Sequence, residues 1–370
     1  MEISNLFKRG GVLNFDGEVN NRSQFLTDGE KDFEYGGQVE LFSYALGGQV
    51  YSSYRAEVGR FYSYYLPEFG LIDGMEGAFK LPNGLIVGAG AGIFPLSAED
   101  PEHGDDYGFH VFTSYDSHTP GQFSGVLGYQ KTWHRGEQDR DQVLGRLNSR
   151  LGDKLWLFGS FRADIYTSDD TIKGQGVELT ELWTQVRYTP DTRYGGAVSY
   201  SLFRWPELKR DQFAMLPIET IRDGQVERVN FSAWRRIDRA WRVSGKFDLW
   251  QDQDDDGTGG EFRVDWNDRE KDWPSLSGAV FFTQGSFNAG EGFRFDARKN
   301  LKSADIFTGY EYFMYDVQTQ NGGAQTLVRQ LIRGGVGWSA DKWYYSITAD
   351  HYFGDVDDEY TLGVFISRRF

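Results

Sequence analysis

Apolar and polar side chains alternate along much of the chain, and the alternation is clearest in the last thirty residues. One parity carries Trp343, Tyr345, Ile347, Ala349 and Phe353, and the other carries Tyr344, Ser346, Thr348, Asp350 and Tyr352. After a polar turn at 354–359, apolar residues again occupy every second position up to Ile366. A period of two is that of a β-strand with one apolar face. The stretch predicts a terminal hairpin, whose last strand leaves unpaired backbone amides unless it meets another strand.

Comparable alternation recurs in about twenty segments of roughly 10 to 14 residues, a length that crosses a bilayer when strands tilt by about 45°. Counted back from the C-terminus, every second connection is short: 339–342, 300–303, 267–273, 237–239, 190–192, 152–153, 117–121, 82–84 and 47–48. We expect the intervening connections to be longer and more polar. A soluble sandwich has no reason to keep short turns at one end. The spacing predicts an even number of strands in one domain over residues 1–370.

The composition fits a chain of strands and excludes other kinds of protein. A mean hydropathy of -0.56 and 25% charged residues exclude a helical membrane protein, since no window approaches the roughly 20 apolar residues of a spanning helix. Aromatic residues make up 16% of the chain, and glycine at 46 with only 9 prolines favours an all-β fold. The formal net charge of -16 disfavours a nucleic-acid partner, which needs a basic face.

The chain has no cysteine, so disulfides, thiolate metal sites and thiol catalysis are excluded. Residues 1–11 lack the apolar core of roughly 7 to 15 residues that is typical of a secretory signal. The protein is then either cytoplasmic or the mature portion of an exported protein. A membrane barrel requires the second interpretation.

The last strand, apolar at every second position and ending in Phe370, resembles the end of bacterial outer-membrane β-barrel proteins of the porin-like type. Arg368 departs from that pattern, which has an apolar residue third from the end. The resemblance implies a transmembrane antiparallel up-and-down β-barrel of about 20 strands, within a range of about 16 to 20, with both termini periplasmic. A soluble sheet that happens to end in phenylalanine is the alternative.

The same resemblance implies partners and a location. Phe370 would be the signal that the outer-membrane assembly machinery reads, and the lipid bilayer with lipopolysaccharide would surround the protein. We therefore expect a bacterial outer-membrane protein. Its oligomeric state stays open.

Charged residues occupy every second position in many segments, and such residues cannot face lipid, so we expect them to face an aqueous lumen. The first quarter contributes acidic residues, and the chain from its middle onward contributes mainly basic ones. The candidate pore-lining residues are Asp16, Glu18, Glu40, Glu57, Arg146, Arg162, Arg187, Arg228, Arg242, Lys246, Arg263, Arg294 and Arg298. One acidic and one basic wall would create a transverse field that selects small polar or charged solutes. The alternative is a set of cross-strand ion pairs that stiffen the wall.

Two features indicate a partly filled lumen. Residues 203–225 form the longest connection and include the apolar stretch 213–218, so we expect this loop to fold into the lumen or over its mouth. A free capping loop is the alternative. Gly88, Gly90 and Gly92 leave one face of a strand without side chains, which suits the close approach of another segment.

Sequence motifs for metal binding or catalysis are incomplete or absent. Asp252, Asp254 and Asp256 with Gly257 match the first half of a calcium loop, but Arg263 occupies the position where a bidentate carboxylate is needed. The three aspartates are a weak calcium candidate, and a solvated acidic hairpin is the alternative. The five histidines, at 103, 110, 118, 134 and 351, are scattered, and no hydrolase motif occurs. We expect no catalytic activity and no other cofactor.

The sequence thus predicts a porin-like outer-membrane channel for passive passage of small polar or charged solutes. One alternative is an export barrel for a polymer such as exopolysaccharide, whose sugar rings could stack on the many Tyr and Trp residues. Another is a structural barrel with a closed lumen that serves as a platform for a partner.

Overall fold

Antiparallel β-strands make up nearly all of the fold. The structure is a computed structural model that describes residues 2–5, 10–25, 31–48, 52–95, 104–117, 122–210, 213, 215–268, 273–285, 289–318, 324–356 and 358–368. The strands are β1 (Glu2–Ser4), β2 (Val12–Phe25), β3 (Lys31–Gly47), β4 (Tyr54–Tyr62), β5 (Leu71–Lys80), β6 (Leu85–Ile93), β7 (Asp106–Asp116), β8 (Phe123–His134), β9 (Glu137–Leu151), β10 (Leu155–Tyr166), β11 (Gly176–Asp191), β12 (Tyr194–Arg204), β13 (Gln225–Arg236), β14 (Trp241–Asp252), β15 (Asp256–Trp266), β16 (Ser275–Gln284), β17 (Ala289–Asn300), β18 (Ala304–Gln318), β19 (Ala324–Ala340), β20 (Trp343–Gly354) and β21 (Asp358–Arg368).

Helical structure is confined to short segments in the described residues. A 3₁₀ turn covers Pro67–Phe69, and one α-helix, α1, covers Ile218–Asp223. No helix in these ranges is long and apolar enough to cross a membrane.

Contacts between residues divide the chain into two compact units. Unit 1 comprises Met1–Gly152, Leu157–Thr184 and Leu202–Gln225, and unit 2 comprises Asp153–Trp156, Gln185–Ser201 and Val226–Phe370. Within unit 1 each strand from β1 to β8 pairs antiparallel with the next. Within unit 2 the same holds from β13 to β20. All 21 strands of the described residues belong to one sheet, so the predicted all-β, antiparallel up-and-down fold with about 20 strands is confirmed. The expected even number is wrong for the described residues, because the short strand β1 brings their count to 21.

The connections follow the predicted spacing at one end of the strands. Each of the nine short turns expected from the sequence joins two consecutive strands. The first of these turns joins β3 to β4, and the last joins β19 to β20. The expectation that every intervening connection is longer is wrong, because Arg135 and Gly136 alone join β8 to β9. Both residues have positive φ, 50° and 92°. A two-residue turn of this kind matches the right-handed twist of a hairpin.

The two faces of the sheet differ in polarity, and this is clearest in unit 2. Phe262 of β15 lies opposite Val280 of β16 on one face, and they are 54% and 58% exposed. The next residues along, Glu261 and Arg263, point to the other face because successive side chains of a strand alternate. Unit 1 repeats the arrangement, with Val58 opposite Met75 on an exposed apolar face.

In unit 1 the polar face is covered by residues 63–70, the connection between β4 and β5, which we name the inner segment. Its Leu66 and Phe69 are buried, and they belong to the apolar cluster of Phe61, Leu66, Phe69, Ile72, Ala78, Phe94, Phe112, Val126 and Leu144. Gly128 of β8 makes room for the segment, since a Cβ there would lie 2.5 Å from Leu66 Cδ2 and 2.6 Å from Phe69 Cζ.

Replacing this glycine tests the packing of the inner segment. We expect Gly128→Val to lower the free energy of unfolding by about 1–3 kcal/mol, because the added methyl groups overfill a closed core. Urea unfolding in detergent micelles measures the change in the free energy of unfolding. The matched control is Gly278→Val in β16, where an added Cβ meets nothing within 4 Å. Equal losses in both variants would contradict the described packing.

Candidate functional site

The polar face of unit 2 holds a cavity of about 990 Å³ beside the turns that follow β13 and β15. We name it the basic pocket. Its charged lining consists of Arg236, Arg239, Arg242, Lys246, Arg263, Arg294, Arg298 and Arg333 with Glu261, Asp265 and Asp296. Eight cations face three carboxylates in a chain whose formal net charge is -16. The pocket therefore concentrates positive charge against the balance of the whole protein.

The strand register explains how these side chains meet. Lys246 of β14 lies opposite Glu261 of β15, and Arg242 lies opposite Asp265. Residues that pair directly across antiparallel strands share a face. Alternation within each strand then gathers one row of charged residues from β13 to β17.

Arginines already engage the three carboxylates of the pocket. Arg294 Nη2 donates to Glu261 Oε2 at 2.8 Å, and Arg263 Nε donates to Asp265 Oδ1 at 2.8 Å. Arg333 Nη2 donates to Asp296 Oδ1 at 2.6 Å. These charge-assisted bonds fix the guanidinium groups, so part of the lining is rigid.

The structure brings five predicted pore-lining residues into this pocket, namely Arg242, Lys246, Arg263, Arg294 and Arg298. Sequence reasoning missed Arg333 and Arg239 as lining residues. On β19, Leu331 lies opposite Glu311 and therefore on the same face as Arg333. This apolar residue on the polar face masks the alternation in the sequence. Arg239 lies between β13 and β14, in a turn where strand parity gives no signal.

Two further predicted basic residues lie in unit 2 outside the pocket. Arg187 of β11 places its guanidinium 5.5 Å from the ring centroid of Trp156. Arg228 of β13 is exposed and lies opposite Trp250 of β14. At the distance of Arg187 from Trp156, an aromatic ring attracts a cation through its π-face.

Arg146 and Arg162, also predicted to line a pore, hold the inner segment of unit 1. Arg146 Nη2 donates to the carbonyl oxygen of Tyr65 at 3.2 Å, and Arg162 Nη2 donates to that of Glu68 at 2.9 Å. Gln130 Nε2 donates to the carbonyl of Phe69 at 2.9 Å. Burial raises the pKa of the Tyr65 phenol above its ordinary value. These side chains satisfy backbone groups that the inner segment buries.

The predicted acidic residues of unit 1 have different surroundings. Glu57 is buried, accepts a hydrogen bond from Ser43 and pairs with Arg55 at 2.6 Å. Asp16 and Glu18 of β2 are exposed. The register shifts between Asp16, which lies opposite Leu41, and Gly17, which lies opposite Val39, and Glu40 of β3 lies at this shift. A β-bulge of this kind changes which residues share a face, and a sequence parity cannot detect it.

The long connection 205–224, within the predicted loop 203–225, packs on other parts of unit 1. Asp139 Oδ1 of β9 accepts hydrogen bonds from the backbone N–H of Lys209 at 2.8 Å and of Arg210 at 3.1 Å. The Glu207 carboxylate accepts the backbone N–H groups of residues 171–173 at 2.8–3.0 Å. Carboxylates that accept backbone N–H groups form strong bonds, so the connection is anchored at two places.

The aspartates of the weak calcium candidate lie at the hairpin between β14 and β15. Asp252 Oδ1 accepts the backbone N–H groups of Asp254 at 2.9 Å and of Asp255 at 2.7 Å. Asp256 begins β15. Within the described ranges, no group of three or more His, Asp or Glu side chains could hold a metal ion. Asp252 thus serves as a turn acceptor.

Histidines in the described ranges each pair with one carboxylate. His110 Nε2 lies 2.9 Å from Glu76 in the core of unit 1, and His134 Nδ1 lies 2.9 Å from Asp106. His351 Nε2 lies 3.0 Å from Asp358. His103 and His118 lie outside the described residues, and so does the predicted assembly signal Phe370.

Comparison with known proteins reveals likeness in fold alone. No protein-family model matches the chain, and no curated protein matches it. Among solved structures it is similar to OccK9 (OpdG) of Pseudomonas aeruginosa, with 10% identity over 96% of this chain and 95% of that chain and a TM-score of 0.48.

Two other solved structures are similar at the same low identity. The FrpB iron transporter from Neisseria meningitidis has 10% identity over 97% of this chain and 80% of that chain, with a TM-score of 0.47. A loop-deletion mutant of OmpT, an outer membrane protein of Vibrio cholerae, has 11% identity over 70% of this chain and 89% of that chain, with a TM-score of 0.41. Each of these proteins is similar to the chain at low identity, and no feature of the site follows from the likeness.

The anchor of the long connection is testable by proteolysis. We expect Asp139→Ala to speed trypsin cleavage after Lys209 and Arg210 by roughly tenfold or more, because two bonds to a charged acceptor are lost and the connection opens more often. Asp238→Ala is the control, since Asp238 accepts two backbone N–H groups in a turn of unit 2. If cleavage after residues 209 and 210 is unchanged in Asp139→Ala, the anchoring is incorrect.

Proposed function

We propose that the protein is a porin-like channel of the bacterial outer membrane, through which small polar or charged solutes pass passively. The observation that carries the proposal is the exposed apolar face that each unit presents opposite a polar one. Large apolar side chains of three neighbouring strands, Phe247 of β14, Phe262 of β15 and Val280 of β16, are exposed on that face. An apolar surface of this extent is unfavourable in water and favourable against lipid.

Aromatic rings near the short turns support a membrane boundary at that end of the strands. Trp241, Trp266 and Trp273 form a chain of ring contacts at 6.4 and 6.0 Å. Trp338 and Tyr345 stack at 5.3 Å. Amphipathic rings of this type concentrate at the interface between hydrocarbon and headgroups. In this proposal the bilayer and lipopolysaccharide surround the apolar face.

The polar face supports passage of charged or polar solutes. Its basic pocket in unit 2 offers a cavity lined by guanidinium groups, an ammonium group and the carboxylates of Glu261, Asp265 and Asp296. Such a lining replaces part of the hydration of a small ion and selects by charge. No catalytic step is part of this proposal.

A second candidate is a structural barrel that serves as a platform for a partner. The observation in its favour is the inner segment, which fills the polar face of unit 1 with Leu66 and Phe69. A polar face filled in this way would narrow or close a path for solutes. Conductance distinguishes the two candidates.

Planar-bilayer recording tests the channel directly. We expect discrete conductance steps in potassium chloride, and we expect Arg242→Glu with Lys246→Glu to move the reversal potential toward cation selectivity, since lining charges set the local ion concentration. Arg235→Glu is the control, because Arg235 pairs with Val243 on the apolar face. Absence of conductance would contradict the channel and favour the platform, and an unchanged reversal potential would refute the lining role.

A further inference from the structure

The basic pocket contains two arginines that face each other directly. Arg236 of β13 pairs with Arg242 of β14 in the strand register. Like charges directly opposite each other destabilise a sheet. Arg242 lies with its guanidinium 4.9 Å from the ring centroid of Trp234, an arrangement that holds the group in place without neutralising it. The hairpin thus carries a local excess of positive charge, which the contact with Trp234 does not neutralise.

The carboxylates across the strand from this hairpin do not neutralise its positive charges. Asp265, which lies across from Arg242, is bound by Arg263 at 2.8 Å. Glu261, which lies across from Lys246, is bound by Arg294 at 2.8 Å. Arg236, Arg242 and Lys246 make no ion pair with a carboxylate in the part of the chain that the structure describes.

Two other cations of the pocket pair with carboxylates and leave Arg236, Arg242 and Lys246 without an ion pair in the described part of the chain. Arg298 donates to Asp305 at 3.0 Å, and Arg333 pairs with Asp296 at 2.6 Å. Each of the three carboxylates that line the pocket is therefore paired with a cation other than Arg236, Arg242 and Lys246. These three side chains are exposed to the cavity water, where a small anion can reach them.

We propose that Arg236, Arg242 and Lys246 form a binding subsite for small solutes that bear two or more negative charges on oxygen atoms. The inference names the solute class of the proposed channel and rests on that function only for the claim that the bound anion passes through. Two guanidinium groups side by side offer planar pairs of N–H donors that match the oxygens of carboxylate and phosphate. Lys246 adds a third positive charge on the same face of β14, four residues after Arg242.

The size of the pocket and the number of its unpaired cations restrict the ligand further. A cavity of about 990 Å³ is of the size that takes a small molecule. A single monovalent anion would relieve only one of three unpaired cations, whereas a divalent oxyanion bridges the Arg236–Arg242 pair and lowers its mutual repulsion. Phosphate esters and dicarboxylates share this chemistry.

Binding to the detergent-solubilised protein tests the subsite without relying on conductance. Isothermal titration calorimetry with pyrophosphate, succinate and acetate, at low and at physiological salt, measures the affinity of each. We expect pyrophosphate and succinate to bind more tightly than acetate, and we expect their binding to weaken as salt rises, because exposed charges are screened. The double variant R236Q/R242Q should lose roughly tenfold or more in affinity for them, the effect of removing charged hydrogen bonds.

Two controls separate binding from folding. Arg235→Gln removes a cation from the same strand but from the apolar face, and it should bind as the unaltered protein does. Lys246→Gln is a second variant that should weaken binding, and far-UV circular dichroism checks that each variant keeps its strand content.

The outcomes are distinct. Binding of pyrophosphate alone would identify phosphate groups, and binding of succinate alone would identify carboxylates, and either supports the subsite. Equal affinity for acetate, or an R236Q/R242Q variant that binds as well as the unaltered protein, would overturn it. Absence of conductance with retained pyrophosphate binding would refute the channel and leave the subsite standing.

Discussion

The structure depends on one constraint, which is that successive side chains of a paired strand point to opposite faces. Pairing each strand with its chain neighbour satisfies the backbone N–H and C=O groups, and the alternation then divides the side chains into an apolar and a polar set. In unit 2 the division is clear at Phe262 and Arg263, consecutive residues of β15 on opposite faces. An exposed face of phenylalanine and valine is more favourable against hydrocarbon than against water. The proposed membrane environment and the proposed polar path both rest on this geometry.

The two units use their polar faces differently. Unit 1 fills its face with the inner segment, where glycine at position 128 admits Leu66 and Phe69 and where Arg146 and Arg162 bind backbone carbonyls. Burial there converts predicted lining residues into supports for a folded-in chain. Unit 2 leaves its face open to a cavity, and its arginines exceed the carboxylates that could neutralise them. The polar face thus carries a buried apolar cluster in unit 1 and exposed charge in unit 2.

The sequence predicted what depends on local spacing. Alternation identified the strands, short polar stretches identified nine turns, and parity assigned Arg242, Lys246, Arg263, Arg294 and Arg298 to one face, where the structure places them in one pocket. What depends on contacts distant in sequence was not predictable. The inner segment is held by side chains 61 to 94 residues away, and nothing in residues 63–70 indicates those partners. The bulge at Asp16 and Gly17 likewise depends on the partner strand.

The central claim is that odd-numbered and even-numbered residues of one strand meet lipid and water respectively, and β14 offers the most direct measurement. Because the chain contains no cysteine, single cysteines at 243–249 can be labelled with a fluorophore in protein reconstituted into vesicles that contain brominated lipid. We expect lipid quenching at 243, 245, 247 and 249 and access to a water-soluble thiol reagent at 244, 246 and 248. Quenching that does not alternate, or that is strongest at Lys246, would contradict the account.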